Sequence, residues 1–435
     1  MPGLRAINKW IGFCLTVFCF LNCVSQSEDL LKHITSKEQL LNTRGLHVDI
    51  VTSERVLKIT DSPKTKAGRW SWVGIPVTSE QYTWNTAEFV EATIKNEGKD
   101  PLKALLWVNS NKGWNSVADT LTIHAGETKT MRCHLRETFP DGTPKLNPNY
   151  VYEVQLMFDR PKAEVNASLL NLKTTGKVSE WKRPKGRLDV PEMTHTEPKG
   201  GHRVHYQLQN DPNSQLYSVL YLPNHWKKDS ETKYPVIVEY PGNIFYVRNC
   251  YSTGRPEHCV IGYGMSKGDN AIWISMPFVN YKTGTIAENG WGNPNDTADY
   301  TVKTVNEIIE KFHGDRENMV VTGFSRGAIA CGFIGLRNDT IAGLWKGMHT
   351  CQHYDGDGWG GADKQGAIER LQRLGNIKVF QTDNSTPELK ELLSSVDTGV
   401  IYMNSGLKAH ACDMFLDDRP STMALRKWFN DLISE

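Results

Sequence analysis

Residues 319–330 read MVVTGFSRGAIA. The first four are apolar or β-branched, as in a buried strand, and residues 328–330 form an apolar run after the G-x-S-x-G pattern. We therefore predict a strand, a sharp turn and a helix, with Ser325 at the turn. Gly323 and Gly327 would leave room for the strained backbone of such a turn. A serine held there presents its hydroxyl outward, as a nucleophile must.

A serine hydroxyl attacks a carbonyl only when a neighbouring base removes its proton. His410 follows the last predicted strand, in the run AHACD, and we predict that it is this base. Asp383 ends the preceding predicted strand, and we predict that it orients the imidazole. The order Ser, Asp, His along the chain is the one that this turn calls for. The alternative acids are Asp355, Asp357 and Glu388.

Acyl transfer also requires hydrogen-bond donors for the developing oxyanion. The backbone N–H of Arg326, directly after the nucleophile, is one predicted donor. The turn that contains Gly242 and Asn243 ends another predicted strand, and we predict that it supplies the second.

Two loops rich in Gly, Trp and Asp are predicted at the carboxyl ends of strands, where open α/β sheets bind ligands. They contain Trp291, Trp359 and Asp355, which we predict to contact substrate. The tryptophans are equally consistent with packing anchors for long loops.

The chain has 435 residues, too many for one compact core, and 39% of them are hydrophobic, enough to fill two. We therefore expect two domains. The formal net charge is +1, which argues against a nucleic-acid-binding or polybasic membrane-binding surface.

Arg5 and Lys9 precede an apolar run at residues 10–24, which predicts a secretory signal peptide at residues 1–25. The alternative is a membrane anchor, but this run is shorter than the roughly 20 residues that cross a bilayer. We therefore expect an extracellular protein that is not held in a membrane once the signal is cleaved.

Six of the nine cysteines lie after the predicted signal peptide, and secretion would favour disulfides among them. Cys250 and Cys259 enclose a short loop and form the predicted pair. No C-x-x-C spacing is present, and neither a metal site nor a cofactor is predicted. The glycosylation sequons begin at Asn166, Asn295, Asn338 and Asn384; a glycan on Asn384 would crowd Asp383.

Residues 26–178 carry short alternating runs separated by turn residues, a pattern that predicts an all-β antiparallel sandwich. Residues 179–201 mix charge, proline and glycine, and are predicted to be a linker or a wrapping arm. In residues 202–435, near-continuous apolar strands alternate with amphipathic helices, such as the one predicted at residues 300–312. This pattern predicts an α/β domain with a doubly wound, mostly parallel sheet.

Residues 217–433 resemble the α/β-hydrolase superfamily. The runs VTGFSRGA (321–328) and HYDG (353–356), followed by Asp383 and His410, are similar to secreted polysaccharide-active carboxylesterases, including acetyl, feruloyl and glucuronoyl esterases. Glucuronoyl esterases continue from a Ser-Arg turn with Asn-Gly-Lys, whereas this chain has Gly-Ala-Ile at residues 327–329. The N-terminal part is similar in pattern to carbohydrate-binding modules. Its candidate sugar-stacking rings are Trp70, Trp72, Trp84, Trp107 and Trp114.

The sequence thus predicts a secreted serine hydrolase that cleaves a carboxylic ester, with a glycan or another ester as its partner. A lipase and a serine peptidase are alternatives on the same fold. A non-catalytic protein that binds carbohydrate or matrix is an alternative from a different class.

Overall fold

The computed structural model describes residues 29–41, 43–61, 70–77, 84–110, 116–140, 142–159, 164–209, 215–247, 250–394, 396, 399–407, 410–411 and 415–435. The predicted signal peptide, Trp114 and Cys412 lie outside these residues. Within them, no helix is long and apolar enough to cross a membrane.

The N-terminal part forms two antiparallel sheets, with strand orders β1-β2-β9-β4-β7 and β3-β8-β5-β6. The strands are β1 (Leu46–Val51), β2 (Val56–Asp61), β3 (Trp70–Pro76), β4 (Ala87–Asn96), β5 (Leu102–Ser110), β6 (Ser116–Ile123), β7 (Thr128–His134), β8 (Val151–Asp159) and β9 (Asn166–Lys177). Short 3-10 turns occupy Leu30–His33, Lys37–Gln39, Trp84–Thr86 and Pro148–Tyr150.

The C-terminal part is built on a nine-stranded sheet with the order β10-β11-β12-β16-β13-β19-β20-β21-β22. The strands of this part are β10 (Met193–Thr194), β11 (Arg203–Tyr206), β12 (Ser218–Tyr221), β13 (Tyr234–Tyr240), β14 (Phe245–Val247), β15 (Cys250–Ser252), β16 (Ile272–Ser275), β17 (Val279–Asn280), β18 (Thr285–Ile286), β19 (Gly314–Phe324), β20 (Gly347–Cys351), β21 (Lys378–Thr382), β22 (Ile401–Met403) and β23 (His410–Ala411). The helices are α1 (Ile261–Ser266), α2 (Pro294–Phe312), α3 (Arg326–Phe333), α4 (Asp339–Ala342), α5 (Lys364–Leu371), α6 (Pro387–Leu393) and α7 (Pro420–Ser434).

Strands β16, β13, β19, β20, β21 and β22 are parallel to one another, whereas β12 pairs antiparallel with β16. Alternate side chains enter different cores: Val236 and Val238 face the helix α2 side, and Ile237 faces the α7 side. Because both faces are covered, these strands are apolar almost throughout. The carboxyl ends of β19, β20 and β21 therefore meet at one edge, where Ser325 and Asp383 follow them.

The four-stranded N-terminal sheet is also buried on both faces. Leu106 and Val108 point into the N-terminal core, whereas Leu105 and Trp107 point the other way, into a core shared with the C-terminal part. Trp72 lies in that shared core as well, and Trp84 is buried in the N-terminal core. Buried rings cannot stack on a sugar, so these three tryptophans do not serve as the predicted carbohydrate platform.

The segment predicted as a linker packs against the C-terminal part. Val190 is fully buried, and the N–H of Leu188 donates to the carbonyl of Leu416 at 2.7 Å. Residues 193–194 form β10, the first strand of the large sheet. The wrapping-arm alternative describes this segment better than a free linker.

The shared core yields a stability prediction for Trp107→Ala. Trp107 is 1% exposed, so truncation leaves a cavity between the two parts, and we expect a loss of about 3–5 kcal/mol in the free energy of unfolding. Urea unfolding followed by far-UV circular dichroism measures this loss. Leu170→Ala, at a residue that is 36% exposed on β9, is the control and should cost less than about 1 kcal/mol. Equal effects of the two substitutions would contradict the shared core.

Candidate active site

Ser325 occupies the turn between β19 and α3 with φ 55° and ψ −118°, a conformation that a residue with a Cβ rarely adopts. The surrounding structure holds it there. Its N–H donates to the carbonyl of Cys351 at 3.0 Å, and its carbonyl accepts from the N–H of Ile329 at 3.2 Å. The side chain is consequently presented at the end of the sheet.

The two glycines of the turn are required by close backbone packing. A Cβ on Gly323 would lie 2.3 Å from the backbone of Gly327. A Cβ on Gly327 would lie 1.9 Å from the carbonyl oxygen of Tyr240, on the neighbouring strand β13. Both distances are far shorter than a carbon contact permits, so the G-x-S-x-G pattern is a packing requirement here.

His410 meets the serine. Its Nε2 atom lies 2.9 Å from the Oγ atom of Ser325, within hydrogen-bond distance. The short strand β23 places it there by pairing in parallel with β15, in the register that sets His410 opposite Cys250. Burial lowers the pKa of His410 to about 4, the neighbouring His353 adds to this effect, and the carboxylate of Asp383 opposes it. The imidazole is therefore neutral at pH 7 and able to accept a proton.

Asp383 lies near His410 but is bonded to other residues. Its carboxylate accepts the N–H of Ser405 at 2.6 Å, the hydroxyl of Ser405 at 2.5 Å and the amide of Gln352 at 2.9 Å. In the part of the chain that the structure describes, no hydrogen bond joins Asp383 to His410. The carboxylate therefore acts on the imidazole through space.

The alternative acids are engaged elsewhere. Asp355 forms a two-bond ion pair with Arg370, at 2.6 and 2.8 Å. Asp357 bonds Nδ1 of His353 and accepts the N–H of Trp359. The exposed Glu388 lies in the first turn of α6. Asp383 is the acid among these four that acts directly on the pKa of His410.

The predicted oxyanion donors flank the serine. Arg326 is the first residue of α3, and the first N–H groups of a helix have no carbonyl partner within it. Asn243 also lines the pocket beside Ser325, and its side-chain oxygen accepts the N–H of Gly290 at 2.8 Å. Gly242 permits this close arrangement, because a Cβ there would lie 2.6 Å from the hydroxyl of Ser252.

A pocket of about 300 Å³ opens beside Ser325. Two aromatic side chains at it are strongly exposed, Phe245 at 50% and Trp359 at 37%. The lining residues are Asn243, Phe245, Ser252, Phe324, Ser325, Arg326, Ile329, His353, Trp359 and His410. The pocket thus combines an apolar wall with the Ser325 hydroxyl and two imidazoles.

The three residues predicted to contact substrate have different positions. Trp359 lines the pocket. Trp291 lies behind it as an anchor: its ring meets Trp359 edge-on at 5.1 Å, and its Nε1 donates to the carbonyl of Gly360 at 2.7 Å. Asp355 is not among the lining residues and instead holds Arg370.

The sequence-based prediction missed several residues of the site. Phe245, Ser252, Ile329 and His353 line the pocket, while Gln352 and Ser405 hold Asp383. Ile329 follows Ser325 by four residues on a helix, so helical spacing could have found it. Ser405 carried no such signal, because it follows the last strand at no fixed spacing from any motif.

The predicted disulfide between Cys250 and Cys259 is wrong. Cys259 is a buried thiol that ends the turn Pro256–His258 and packs in the shared core beside Val260. Cys250 instead begins β15, the strand that pairs with β23. The spacing suggested a small closed loop, but the two positions serve different structural units.

Within the described chain, no group of three or more His, Cys, Asp or Glu side chains could hold a metal ion.

No family model and no curated protein matches this chain. Solved structures of esterases do resemble it at low identity. A thermostable esterase is 13% identical, with a TM-score of 0.37, covering 80% of this chain and 96% of its own. Carboxyl esterase 2 from Tuber melanosporum is 12% identical, with a TM-score of 0.38, and the match covers 58% of this chain and 91% of the esterase. An acetyl ester-xyloside bifunctional hydrolase from Caldicellulosiruptor lactoaceticus is 15% identical, with a TM-score of 0.35, and the match covers 55% of this chain and 98% of the hydrolase. These neighbours are esterases of the α/β-hydrolase type, but similarity at this level identifies neither a family nor a substrate.

The packing at the turn yields a prediction for Gly327→Ala. Its new methyl group would overlap the carbonyl of Tyr240, so we expect a loss of more than about 3 kcal/mol in stability, or no folded protein. Gly343→Ala is the control, because Gly343 is exposed at the end of α4 with φ −69°, and its new methyl group would approach no atom more closely than the carbonyl oxygen of Asp339, at 3.1 Å. This control should change the free energy of unfolding by less than about 1 kcal/mol. Thermal unfolding compares the two, and a Gly327→Ala protein as stable as the control would refute the packing requirement.

Proposed function

We propose that this protein is a serine hydrolase that cleaves carboxylic esters. The observation that carries this proposal is the 2.9 Å contact between Ser325 Oγ and His410 Nε2 at a strained turn. The pocket beside this pair and the free N–H groups at the start of α3 supply the remaining requirements of acyl transfer.

The proposed reaction has two halves. His410 takes the proton of Ser325 while Oγ attacks the ester carbonyl, and the backbone N–H groups of Arg326 and Asn243 stabilise the resulting oxyanion. The protonated imidazole then gives its proton to the leaving alcohol, and an acyl-serine forms. In the second half, water loses a proton to His410 as it attacks the acyl group, and the imidazolium then gives this proton to Oγ of Ser325 as the carboxylic acid leaves.

We propose Asp383 as the third member of the catalytic set. Ser405 and Gln352 fix its carboxylate beside His410, where its negative charge favours the imidazolium that forms in each half-reaction. Such stabilisation does not require a hydrogen bond, because Coulomb attraction is strong in a partly buried site.

We propose a glycan ester as the substrate and an extracellular location. Support for the glycan comes from the exposed Trp359 at the pocket, with Phe245 as a second exposed ring. Aromatic faces of this kind stack on apolar faces of sugars. The signal-like residues 1–25 support secretion. Trp72, Trp84 and Trp107 of the N-terminal part give no support, since all three are buried.

The test of the function is the Ser325→Ala variant. We expect the wild-type protein to hydrolyse p-nitrophenyl esters and to be labelled by a fluorophosphonate. The variant should lose labelling and about 10⁴-fold or more in kcat, because the nucleophile is gone. A purified, folded wild-type protein that reacts with neither reagent would remove the proposal and favour the non-catalytic alternative.

The substrate class is then tested with acetylated, feruloylated and uronate-esterified oligosaccharides. A glycan substrate predicts a higher kcat/KM on one of these than on the p-nitrophenyl ester of the same acid. Equal or lower values on all of them would refute the glycan and leave the esterase standing.

The pH dependence of kcat/KM follows from His410. The neutral imidazole is the active form, and its pKa in the free protein is about 4. Activity should therefore stay level as the pH falls from about 8 to about 5 and be half lost near pH 4, whereas an ordinary histidine would lose activity near pH 6.5. Initial rates in constant-ionic-strength buffers measure this, with circular dichroism to exclude unfolding. A loss of half of kcat/KM near pH 6.5 would contradict the prediction that burial lowers the pKa of His410.

A further inference from the structure

The side chain of Arg326 lies beneath the pocket and holds three loops. It is 1% exposed, and its Nη1 donates to the carbonyls of Gly290, at 2.6 Å, and Ala287, at 3.1 Å. Its Nη2 donates to the carbonyls of Gly242, at 2.7 Å, and Gly254, at 3.2 Å. One guanidinium therefore binds the loop of the second oxyanion donor and the two loops packed against it.

These loops also bind one another. Ile244 donates its N–H to the carbonyl of Glu288 at 2.9 Å, on the loop that includes Gly290. Gly254 packs so closely on the same carbonyl that a Cβ would lie 2.2 Å from it. A displacement of Glu288 would thus be transmitted to Gly254 and to Ile244, the residue after Asn243.

Glu288 is held in turn by a residue of the third loop. The Nε of Arg255 donates to its Oε1 at 2.8 Å. Nη1 of Arg255 lies 3.7 Å from Oε2 of Glu153, on strand β8 of the N-terminal part. Glu153, Arg255 and Glu288 therefore alternate in charge, and the charge of Glu288 also acts on Arg326, whose pKa it raises. We call these four side chains the charge row.

Glu153 is the end of the charge row that the N-terminal part contributes. Its side chain has no exposed surface, and it accepts a hydrogen bond from Gln155 at 2.9 Å. Burial raises the pKa of its carboxyl, and attraction to Arg255 opposes this rise. A buried carboxylate placed against a single cation is costly to separate from it, so the pair constrains where Arg255 lies.

From this row we infer that Glu153 is a positioning residue of the active site. Through Arg255 and Glu288 it fixes the loops that Arg326 binds, and thereby places the Asn243 oxyanion donor relative to Ser325. The N-terminal part would then complete the catalytic machinery as well as packing against it. The inference has a loop-holding half, that Glu153 fixes these loops, and a catalytic half, that it thereby places the oxyanion donor. Only the catalytic half rests on the proposed esterase function.

The test is Glu153→Gln, which keeps the size and hydrogen bonding of the side chain and removes its charge. We expect hydrogen exchange at the amides of Ile244 and Gly290 to become about tenfold faster or more. We also expect kcat on a p-nitrophenyl ester to fall about tenfold with KM within about twofold, because a displaced oxyanion donor affects the transition state more than substrate binding. Glu91→Gln is the matched control: Glu91 is 9% exposed in the same part of the chain and pairs with Arg132. It should change neither quantity.

Unchanged exchange and unchanged kcat in a folded Glu153→Gln protein would overturn the inference. Faster exchange with unchanged kcat would overturn the catalytic half. If Glu153→Gln does not fold, Arg255→Lys decides by the same criteria, because a lysine cannot bridge two carboxylates as the guanidinium does. If the wild-type protein hydrolyses no ester, the proposed function fails, and exchange alone decides: faster exchange supports the loop-holding role and unchanged exchange overturns it.

Discussion

The hydrogen bonds of the buried Arg326 guanidinium constrain the whole active site. Four carbonyls from three loops point at one cation, and without it those carbonyls would be left without these donors in a desolvated place. The ring of Phe278, 3.9 Å from the guanidinium carbon, covers its face. Burial lowers the pKa of Arg326 only to about 9, so the cation persists at neutral pH. The side chain of the residue after Ser325 thus fastens the facing loops, while its backbone N–H is the proposed oxyanion donor.

Two residues of the candidate site, the strained Ser325 and the desolvated His410, lie beside the loops that Arg326 binds. Ser325 holds a positive φ because the bonds to Cys351 and Ile329 and the absence of a Cβ at Gly327 leave it no alternative. His410 stays neutral because it is partly buried and faces His353 edge-on, with ring centres 5.2 Å apart. A neutral imidazole and an outward hydroxyl are what proton abstraction needs, and burial keeps His410 neutral well below pH 6.5, where an ordinary histidine begins to be protonated.

The sequence was most informative where a chemical role and a packing requirement coincide in one short motif. Residues 323–327 carry the packing requirement and the proposed role, and the place of His410 after the predicted last strand was enough to bring it to Ser325. The partners of Asp383 could not be found, since Ser405 and Gln352 reach it from separate loops by tertiary packing. Residues 104–108 of β5 form a continuous apolar run, which predicted a strand but not that its second face packs on the C-terminal part. The Cys250–Cys259 prediction failed for a related reason: sequence proximity does not show which core a side chain enters.

Each of the two parts buries apolar surface of the other. The C-terminal sheet could form its own strands, but the face bearing Ile237 and Trp273 shares its core with Trp107 and Met157 of the N-terminal sheet. Arg255 would meanwhile lack its buried partner Glu153. Exposed aromatic surface and an incompletely paired cation both favour docking, the first by burial of apolar area and the second by charge. Any influence of the N-terminal strands on the candidate active site must therefore pass through packing and electrostatics, because none of their residues is among the described residues that line the pocket.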